Sequence, residues 1–145
     1  MTVPKISVRN LQRKISVNVA ELERFSNHAV QHSLQLHKRR RTDLRKLSEI
    51  FIGLISDRRM ALLHRKFLGQ SGPTDVLTFQ HGEIFISVDT ARRHAHAFEN
   101  SLLRELKLYI AHGLLHLHGF DDETPSESHK MKAAQEKILR NCCAL

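Results

Sequence analysis

Residues 101–122, SLLRELKLYIAHGLLHLHGFDD, combine a helical pattern with a glycine and two aspartates at its end. Apolar side chains recur at helical spacing, and Asn100 or Ser101 can cap the first turn, so we predict a helix that runs as far as Gly119. A glycine at this point can adopt the left-handed conformation that ends a helix and reverses the chain. The acidic pair that follows should therefore return beside the last turn.

Two histidines of this helix are spaced for metal binding. His112 and His116 are four residues apart, so their side chains project from one face and both can reach a single ion. The turn at Gly119 brings in Asp122 as a third ligand, and the pattern H-x3-H-x2-G-x2-D has the ligand spacing of metzincin zinc proteases. A chance HxxxH on an amphipathic helix is the alternative, which the glycine and the acid weaken. His118 is expected to point elsewhere, as a surface or packing residue.

Two acidic residues near the histidines are candidate catalytic groups. Asp121 could orient a ligand histidine or stabilise the turn. Glu105 precedes His112 by seven residues on the same helix face, where it could orient a histidine, act as a base, or be a hydrogen-bonded polar residue near the sheet. Gly113 occupies the position where HExxH proteases carry their glutamate base, so that base is missing. The glycine either packs closely against a strand or leaves room for substrate.

Length and composition limit the class of protein. The chain has 145 residues, of which 41% are hydrophobic, and this predicts one domain over residues 1–145. It has no apolar run of about 18 residues and no signal-peptide pattern at the N-terminus, so we expect a cytoplasmic protein that does not span a membrane. Cys142 and Cys143 are adjacent and near the C-terminus, and we interpret them as incidental thiols.

The charge balance favours an anionic partner. Lysine and arginine total 23 against 15 aspartates and glutamates, which gives a formal net charge of +8. Such a basic domain suits a polyanion such as RNA, because each phosphate that it neutralises releases counterions. Solubility alone is the simpler interpretation of the charge. The run KRRR at residues 38–41 is either a solvated loop or a phosphate contact.

Hydrophobic periodicity indicates the α+β class. We expect strands at residues 3–8, 47–56, 74–79 and 83–88, with a turn at 71–73 and the last two strands joined as a hairpin. Besides the helix that ends at Gly119, we expect helices over 19–37, from a cap at Asp57 to Gly69, over 89–98, and from Pro125 to about Arg140. Capping patterns at Asn18 and Thr124 support two of these helix starts. Single strands and a hairpin between helices are typical of α+β folds.

Three segments resemble one family. HGLLHLHGFDD at 112–122 resembles the H-G-x-L-H-L-x-G-[YF]-D-H motif of the YbeY family, GPTDVLTF at 72–79 is similar to its P-T-D-V-L-S-F segment, and GEIFIS at 82–87 looks like its G-D-I-x-I-S strand. The resemblance is collinear over roughly residues 45–140. Further residues that fall where the family has similar ones are Glu105, Met131 and Glu136.

The resemblance implies both a fold and an activity. The family consists of bacterial metal-dependent endoribonucleases, specific for single strands, that act in 16S rRNA 3′-end maturation and ribosome quality control. It implies an α+β fold with a mixed sheet of about four strands flanked by about five helices, and a zinc ion held at the positions of His112, His116 and Asp122. It also implies ribosomal RNA, the small ribosomal subunit and the Era GTPase as partners, and neither DNA nor a membrane.

The chain departs from the family pattern at two positions. The third ligand is usually histidine, and here it is Asp122, which can bind zinc but should make a bound water less acidic and also suits Fe(II) or Mn(II). A family arginine lies five residues before the proline of the P-T-D-V-L segment, and counting back from Pro73 gives Leu68. Arg65, one helical turn earlier, is the candidate substitute.

Three functions remain open from the sequence. The first is metal-assisted cleavage of the RNA backbone, in which Arg65 and the 38–41 run would hold phosphates. The second is a metalloprotease, which shares the ligand spacing but needs the glutamate that Gly113 replaces. The third is a non-catalytic RNA-binding or ribosome-binding factor with a structural metal. The net charge of +8 suits the first and third better than the second.

Overall fold

The computed structural model of the protein describes residues 3–36, 41–69 and 74–143. The elements in chain order are β1 (Lys5–Asn10), α1 (Val19–Gln35), α2 (Asp43–Lys46), β2 (Glu49–Ile55), α3 (Asp57–Leu68), β3 (Val76–Phe79), β4 (Glu83–Ser87), α4 (Val88–Ala97), α5 (Leu102–Leu117) and α6 (Pro125–Cys143). Within the described ranges, none of these helices combines the length and the apolar character that a membrane crossing needs.

The four strands form one mixed sheet in the order β1-β2-β4-β3. Strands β1, β2 and β4 run parallel, whereas β3 pairs antiparallel with β4 as the expected hairpin. The predicted α+β class is therefore confirmed, as is the mixed sheet. The described residues contain six helices rather than about five, because the sequence patterns missed the four-residue α2. A helix of one turn, capped by Thr42, is too short to show a hydrophobic period.

Several predicted boundaries were wrong by a few residues. Strand β1 is shifted toward the C-terminus, since its ladder begins where the amide of Lys5 donates to the carbonyl of Ser48 at 2.9 Å. Helix α3 is capped by the hydroxyl of Ser56 rather than by Asp57. Helix α6 extends to Cys143, past the expected end, and buries the side chain of Cys142. Residues 38–40 of the basic run, the turn at 71–73 and the side chain of Cys143 lie outside the described residues.

The two faces of the sheet are covered unequally. Strand residues alternate between faces, and those on one face are fully buried against α1 and α5, with α6 packed behind: Ile6, Ile50, Ile52, Leu54, Ile84 and Ile86. On the other face α3 forms a smaller cluster around Ile55, Met60 and Leu77. Helix α3 contacts β4 but leaves the β1 side of this face exposed, where Lys5, Ser7 and Arg9 point to solvent.

The two edges of the sheet also differ. At the β1 edge, side chains of α1 take the place of a neighbouring strand, because Asn27 exchanges two hydrogen bonds of 3.1 Å with the backbone of Ile6. Glu23 accepts a third from the amide of Val8 at 3.1 Å. Such capping keeps an edge from pairing with another strand. The opposite edge, β3, lies beside α5 and the histidines.

Asp57 ties the start of α3 to α4. One carboxylate oxygen accepts hydrogen bonds from the hydroxyls of Ser87 and, at 2.7 Å, Thr90, while the other accepts from Arg93 at 2.6 Å. Burial acts to raise the pKa of Asp57, but these three hydrogen bonds and the charge of Arg93 together outweigh it and lower the pKa. The ionised carboxylate therefore stabilises the junction between the two helices.

The Asp57→Asn variant is expected to lose about 2 kcal/mol of unfolding free energy at neutral pH, since a charged acceptor of three donors is replaced by a neutral one. Because the pKa is lower in the folded chain, this contribution is present above the ordinary carboxyl pKa of about 3.9 and is lost as the pH falls through the folded value. Denaturant titrations at neutral pH and at several values below about pH 4 should show the gap between variant and wild type shrinking with acidity. A gap that is constant with pH would contradict this assignment.

Candidate metal centre

Helix α5 ends in the turn that the sequence predicted. Gly119 has a φ of 91°, and its amide donates to the carbonyl of His116 at 3.0 Å, while the amide of Phe120 donates to Leu115 at 2.9 Å. These two bonds define a Schellman motif, in which a left-handed glycine satisfies the last carbonyls of a helix. The chain is thereby turned back so that Asp122 lies against the final turn of α5.

The side chains of His112, His116 and Asp122 converge. The two Nε2 atoms lie 3.0 Å apart; Oδ2 of Asp122 lies 3.5 Å from Nε2 of His112, and Oδ1 lies 3.7 Å from Nε2 of His116. Nitrogen and oxygen ligands about 2.1 Å from a tetrahedral zinc ion are separated from one another by about 3.4 Å. Each residue thus offers a donor atom to a triangle whose sides are no longer than 4.8 Å, and the donor set fits one metal ion.

The partners of the histidines orient them toward this triangle. The carbonyl oxygen of Gln135 on α6 accepts a hydrogen bond of 2.8 Å from Nδ1 of His112, which leaves the lone pair of Nε2 directed at the cluster. Burial, and then the neighbouring ring of His112, lower the pKa of His116, although Asp122, Asp121 and the backbone of Phe120 partly oppose this. A lowered pKa favours the neutral imidazole that a metal needs.

Asp121 lies on the far side of His116. Its carboxylate is 4.0 Å from Nδ1 of His116, which is too long for a hydrogen bond, and the side chain is 59% exposed. The backbone of Phe120 bonds the ring instead. The predicted role of Asp121 in orienting His116 stays a prediction. At 4.0 Å the carboxylate can act on the ring only through its charge.

Gly113 packs directly against the sheet. A Cβ atom on this residue would lie 3.0 Å from two carbons of Ile84 and 3.2 Å from the hydroxyl of Thr78. Such separations are shorter than ordinary van der Waals contacts, so the glycine lets α5 approach β3 and β4 closely. Of the two interpretations of Gly113, close packing against a strand is the one observed. A glutamate base here would point into the sheet.

Glu105 is buried two turns before His112, away from the cluster. It accepts a hydrogen bond of 3.2 Å from Asn100 and another from Tyr109, whose hydroxyl lies 2.8 Å from Nδ1 of His94. Burial, followed by the charge of Glu105, raises the pKa of Tyr109. Glu105 therefore has the surroundings of a hydrogen-bonded structural residue, and its role as a base stays a prediction.

A cleft of about 360 Å³ opens beside the cluster, between α5 and the β3 edge. Thr78 and Gln80 line it together with the two histidines, and Leu68 lies at its rim, where the family arginine was expected. Arg65 is exposed in the last turn of α3 and is not among the described residues that line the cleft. Its substitution for that arginine stays a prediction.

His118 is fully buried and lies apart from the cluster. Its Nδ1 atom is 3.1 Å from the hydroxyl of Thr42, and its Nε2 atom is 3.0 Å from the carbonyl of Leu36. The ring therefore joins the end of α5 to the end of α1 and the start of α2. Of the two expectations for His118, packing is the one observed.

Gln135 is the residue of the centre that sequence reasoning missed. It lies on a long amphipathic helix, and one sequence cannot show which face of that helix meets His112. The Gln135→Leu variant should bind metal ~10- to 100-fold more weakly, since loss of a partner that orients a ligand histidine typically has this effect. Calorimetric titration of the metal-free protein measures it, and Lys132→Leu, at an exposed position of α6, is the matched control. Equal affinities for Gln135→Leu and wild type would contradict the role.

The family model described as Endoribonuclease YbeY matches residues 7–142. This chain belongs to the YbeY family. An Anaeromyxobacter relative named Endoribonuclease YbeY is 38% identical over 103 residues, which cover 64% of this chain and 54% of that protein. The Phocaeicola vulgatus YbeY is 37% identical over 102 residues, covering 66% and 74%.

A YbeY protein from Thermus thermophilus is 40% identical over 98 residues, covering 59% of this chain and 70% of that one. The matches span only 54% and 62% of the length of the Anaeromyxobacter and Frankia alni relatives. Among solved structures, the solution structure of a Thermotoga maritima protein superposes with a TM-score of 0.59 at 24% identity, covering 94% of this chain and 90% of the other. At that identity the match supports the fold alone.

Proposed function

We propose that this YbeY-family protein is a metal-dependent endoribonuclease that cleaves single-stranded RNA, with residues 1–145 acting as one domain. The observation that carries the proposal is the triangle of donor atoms from His112, His116 and Asp122, all within 4.8 Å of one another. Membership of a family described as endoribonucleases supplies the substrate class. The net charge of +8 is consistent with a polyanionic substrate.

His112, His116 and Asp122 would hold the ion, and zinc is the metal that we propose. A set of two histidines and one carboxylate also suits Fe(II) and Mn(II). When bound, the metal supplies a Lewis acid for a phosphoryl oxygen and lowers the pKa of a bound water. The negative charge of Asp122 offsets more of the metal charge than a neutral histidine would, so a bound water should be less acidic than in a site of three histidines.

The remaining residues orient ligands and substrate. Gln135 holds His112 as the tautomer with a free Nε2, and Asp121 adds negative charge beside His116. Thr78 and Gln80 offer a hydroxyl and an amide along the cleft, where they can hydrogen-bond a phosphate or a base. We propose that Arg65 binds the RNA backbone from the end of α3, and that Glu105, which Asn100 and Tyr109 engage two turns before His112, supports the helix rather than the reaction.

A peptidase is disfavoured by the packing at Gly113. The glutamate base of HExxH proteases follows the first histidine directly, and in this chain that position faces Ile84 and Thr78 at contact distance. Position 113 therefore has no side chain that could activate a water, and the packing leaves no space for one.

We further propose that the substrate is ribosomal RNA, cut in 16S rRNA 3′-end maturation and ribosome quality control, with the small ribosomal subunit and the Era GTPase as partners. A cytoplasmic location would accommodate this substrate.

Incubation of the purified protein with end-labelled single-stranded RNA, the same RNA as a duplex, and single-stranded DNA of the same sequence tests the activity. We expect cleavage of the single-stranded RNA only, its loss with a chelator, and its recovery when zinc is restored. Cleavage that persists with the chelator would overturn the metal mechanism. Binding of RNA without any cleavage would favour the non-catalytic factor.

A further inference from the structure

Aromatic side chains are concentrated on the incompletely covered α3 face of the sheet. The core against α1 and α5 contains one buried phenylalanine, Phe25, whereas four of the seven phenylalanines of the chain lie on the α3 side. These four are Phe51 on β2, Phe67 on α3, Phe79 on β3 and Phe85 on β4. Phe67 is 54% exposed and the three strand residues are half-buried, so this cluster is not a closed core.

The rings form a continuous row, which we call the aromatic track. Ring centroids of Phe67 and Phe79 are 5.3 Å apart, those of Phe79 and Phe85 6.1 Å, and those of Phe85 and Phe51 6.2 Å. The exposed ring of His81 stacks on Phe79 at 5.7 Å. The track therefore crosses three strands, from the end of α3 to the middle of the sheet.

Gly53 lets two of these rings approach the backbone of the sheet closely. Carbons of Phe85 and Phe51 come within 3.0 and 3.2 Å of the point where a Cβ atom would stand. Any larger residue on this strand position would push the rings away from the sheet surface.

Basic side chains lie at both ends of the track. The ammonium group of Lys66 lies 5.5 Å from the centre of the Phe67 ring. At the other end, Lys5 and Lys46 line a groove of about 770 Å³ whose wall includes Phe51 and His81, and Arg9 is exposed on β1. Two carboxylates also line this groove, Glu49 and Glu83.

These carboxylates do not cancel the basic character of the surface. Glu83 lies 2.6 Å from Nε2 of His81, so it is already engaged by a neighbouring ring. Glu49 is then outnumbered by Lys5, Lys46 and Arg9. Aromatic rings between basic residues are the usual composition of a surface that binds single-stranded nucleic acid, since rings stack on bases and cations contact phosphates.

The track also adjoins the metal cleft. Leu68, next to Phe67 in the chain, and Leu77, which packs with Phe79 and Phe85, both line that cleft. An RNA strand that leaves the cleft around the β3 edge would pass onto the track.

We infer that the aromatic track binds a segment of single-stranded RNA adjacent to the segment held in the metal cleft. The inference rests on the proposed function, because it takes RNA as the substrate. Bases would stack on Phe51, Phe67 and His81, and Lys5 and Arg9 would contact the backbone. Substrates long enough to occupy both surfaces should therefore bind more tightly than short ones.

The test uses the metal-loaded protein and two 2′-O-methyl RNA oligonucleotides, one of about five nucleotides and one of about twenty, in fluorescence anisotropy. The Phe67→Ala and Phe51→Ala variants should each weaken binding of the long oligonucleotide by about 5- to 10-fold, in the range typical of lost base stacking, and leave the short one unchanged. Lys5→Gln should reduce the salt dependence of long-oligonucleotide binding. Phe98→Ala removes a 71% exposed ring on the surface near α4 and is the matched control.

The outcomes separate this inference from the function on which it rests. Phe67 and Lys5 are exposed, so their variants test the track even if Phe51→Ala fails to fold. Wild-type cleavage of RNA together with unchanged long-oligonucleotide binding by Phe67→Ala and Lys5→Gln would overturn the track alone. An equal loss in Phe98→Ala would overturn it as well, since the effect would not be local. If the wild type neither binds nor cleaves RNA, the proposed function fails first.

Discussion

Replacement of His116 by alanine is expected to weaken metal binding by more than about 100-fold and to reduce RNA cleavage to that of chelator-treated wild type. Loss of a partner that merely orients a ligand typically costs up to about 100-fold, and loss of the ligand itself should cost more. The remaining donors, His112 and Asp122, lie 3.5 Å apart and could contact an ion from one side only. Calorimetric metal titration and cleavage of end-labelled single-stranded RNA measure the two effects.

His96→Ala is the matched control, because His96 is exposed on α4 and outside the described lining of the metal cleft. It should retain wild-type metal affinity and activity. His116 is 28% exposed, so a circular dichroism melt is needed to show that the variant is folded. A folded His116→Ala protein that cleaves RNA at the wild-type rate would refute the metal mechanism.

Gly113→Glu, which restores the HExxH pattern, is expected to destabilise the protein by more than about 4 kcal/mol and to give no peptidase. A Cβ atom would already stand 3.0 Å from Ile84, and the carboxylate would be forced into the interface between α5 and the sheet. Overpacking of a core costs ~1–3 kcal/mol, and an unpaired buried charge adds several more. Denaturant unfolding, with a casein degradation assay, measures both expectations.

Ala133→Glu, at an exposed position of α6, controls for the introduction of a glutamate into a helix and should change stability by less than about 0.5 kcal/mol. Wild-type stability of Gly113→Glu would contradict the close packing of position 113 against the sheet. Zinc-dependent degradation of casein by that variant would contradict the expected absence of peptidase activity, because the glutamate would then reach the metal despite the packing.

The metal centre was predictable because its residues are local in sequence. His112 and His116 are fixed by helical periodicity, and Gly119 has a conformation that few other residues adopt readily, so eleven residues encode the geometry of the triangle. The strand hairpin and the reciprocal capping box between Thr124 and Glu127 were predictable for the same reason. The resemblance to the YbeY family supplied the prediction that the strands form one mixed sheet.

The features that sequence reasoning missed or left open depend on tertiary packing. Gln135 meets His112 only because α6 packs on α5, and the burial of His118 follows from contacts with residues 76 and 82 positions away in the chain. Glu105 shares a helix face with His112, but it lies two turns away, and Tyr109 and Asn100 engage it. Helical spacing therefore predicted the helix face of Glu105 correctly, but Glu105 does not reach the metal centre.

The most direct test of the central claim is the metal content per chain, measured by elemental analysis of wild type and Asp122→Ala after purification without chelators. We expect about one zinc per chain in wild type and much less in the variant, because Asp122 supplies the third donor of the triangle. A wild type without metal, or an Asp122→Ala protein that retains the full amount, would contradict the metal centre on which the proposed RNA cleavage depends.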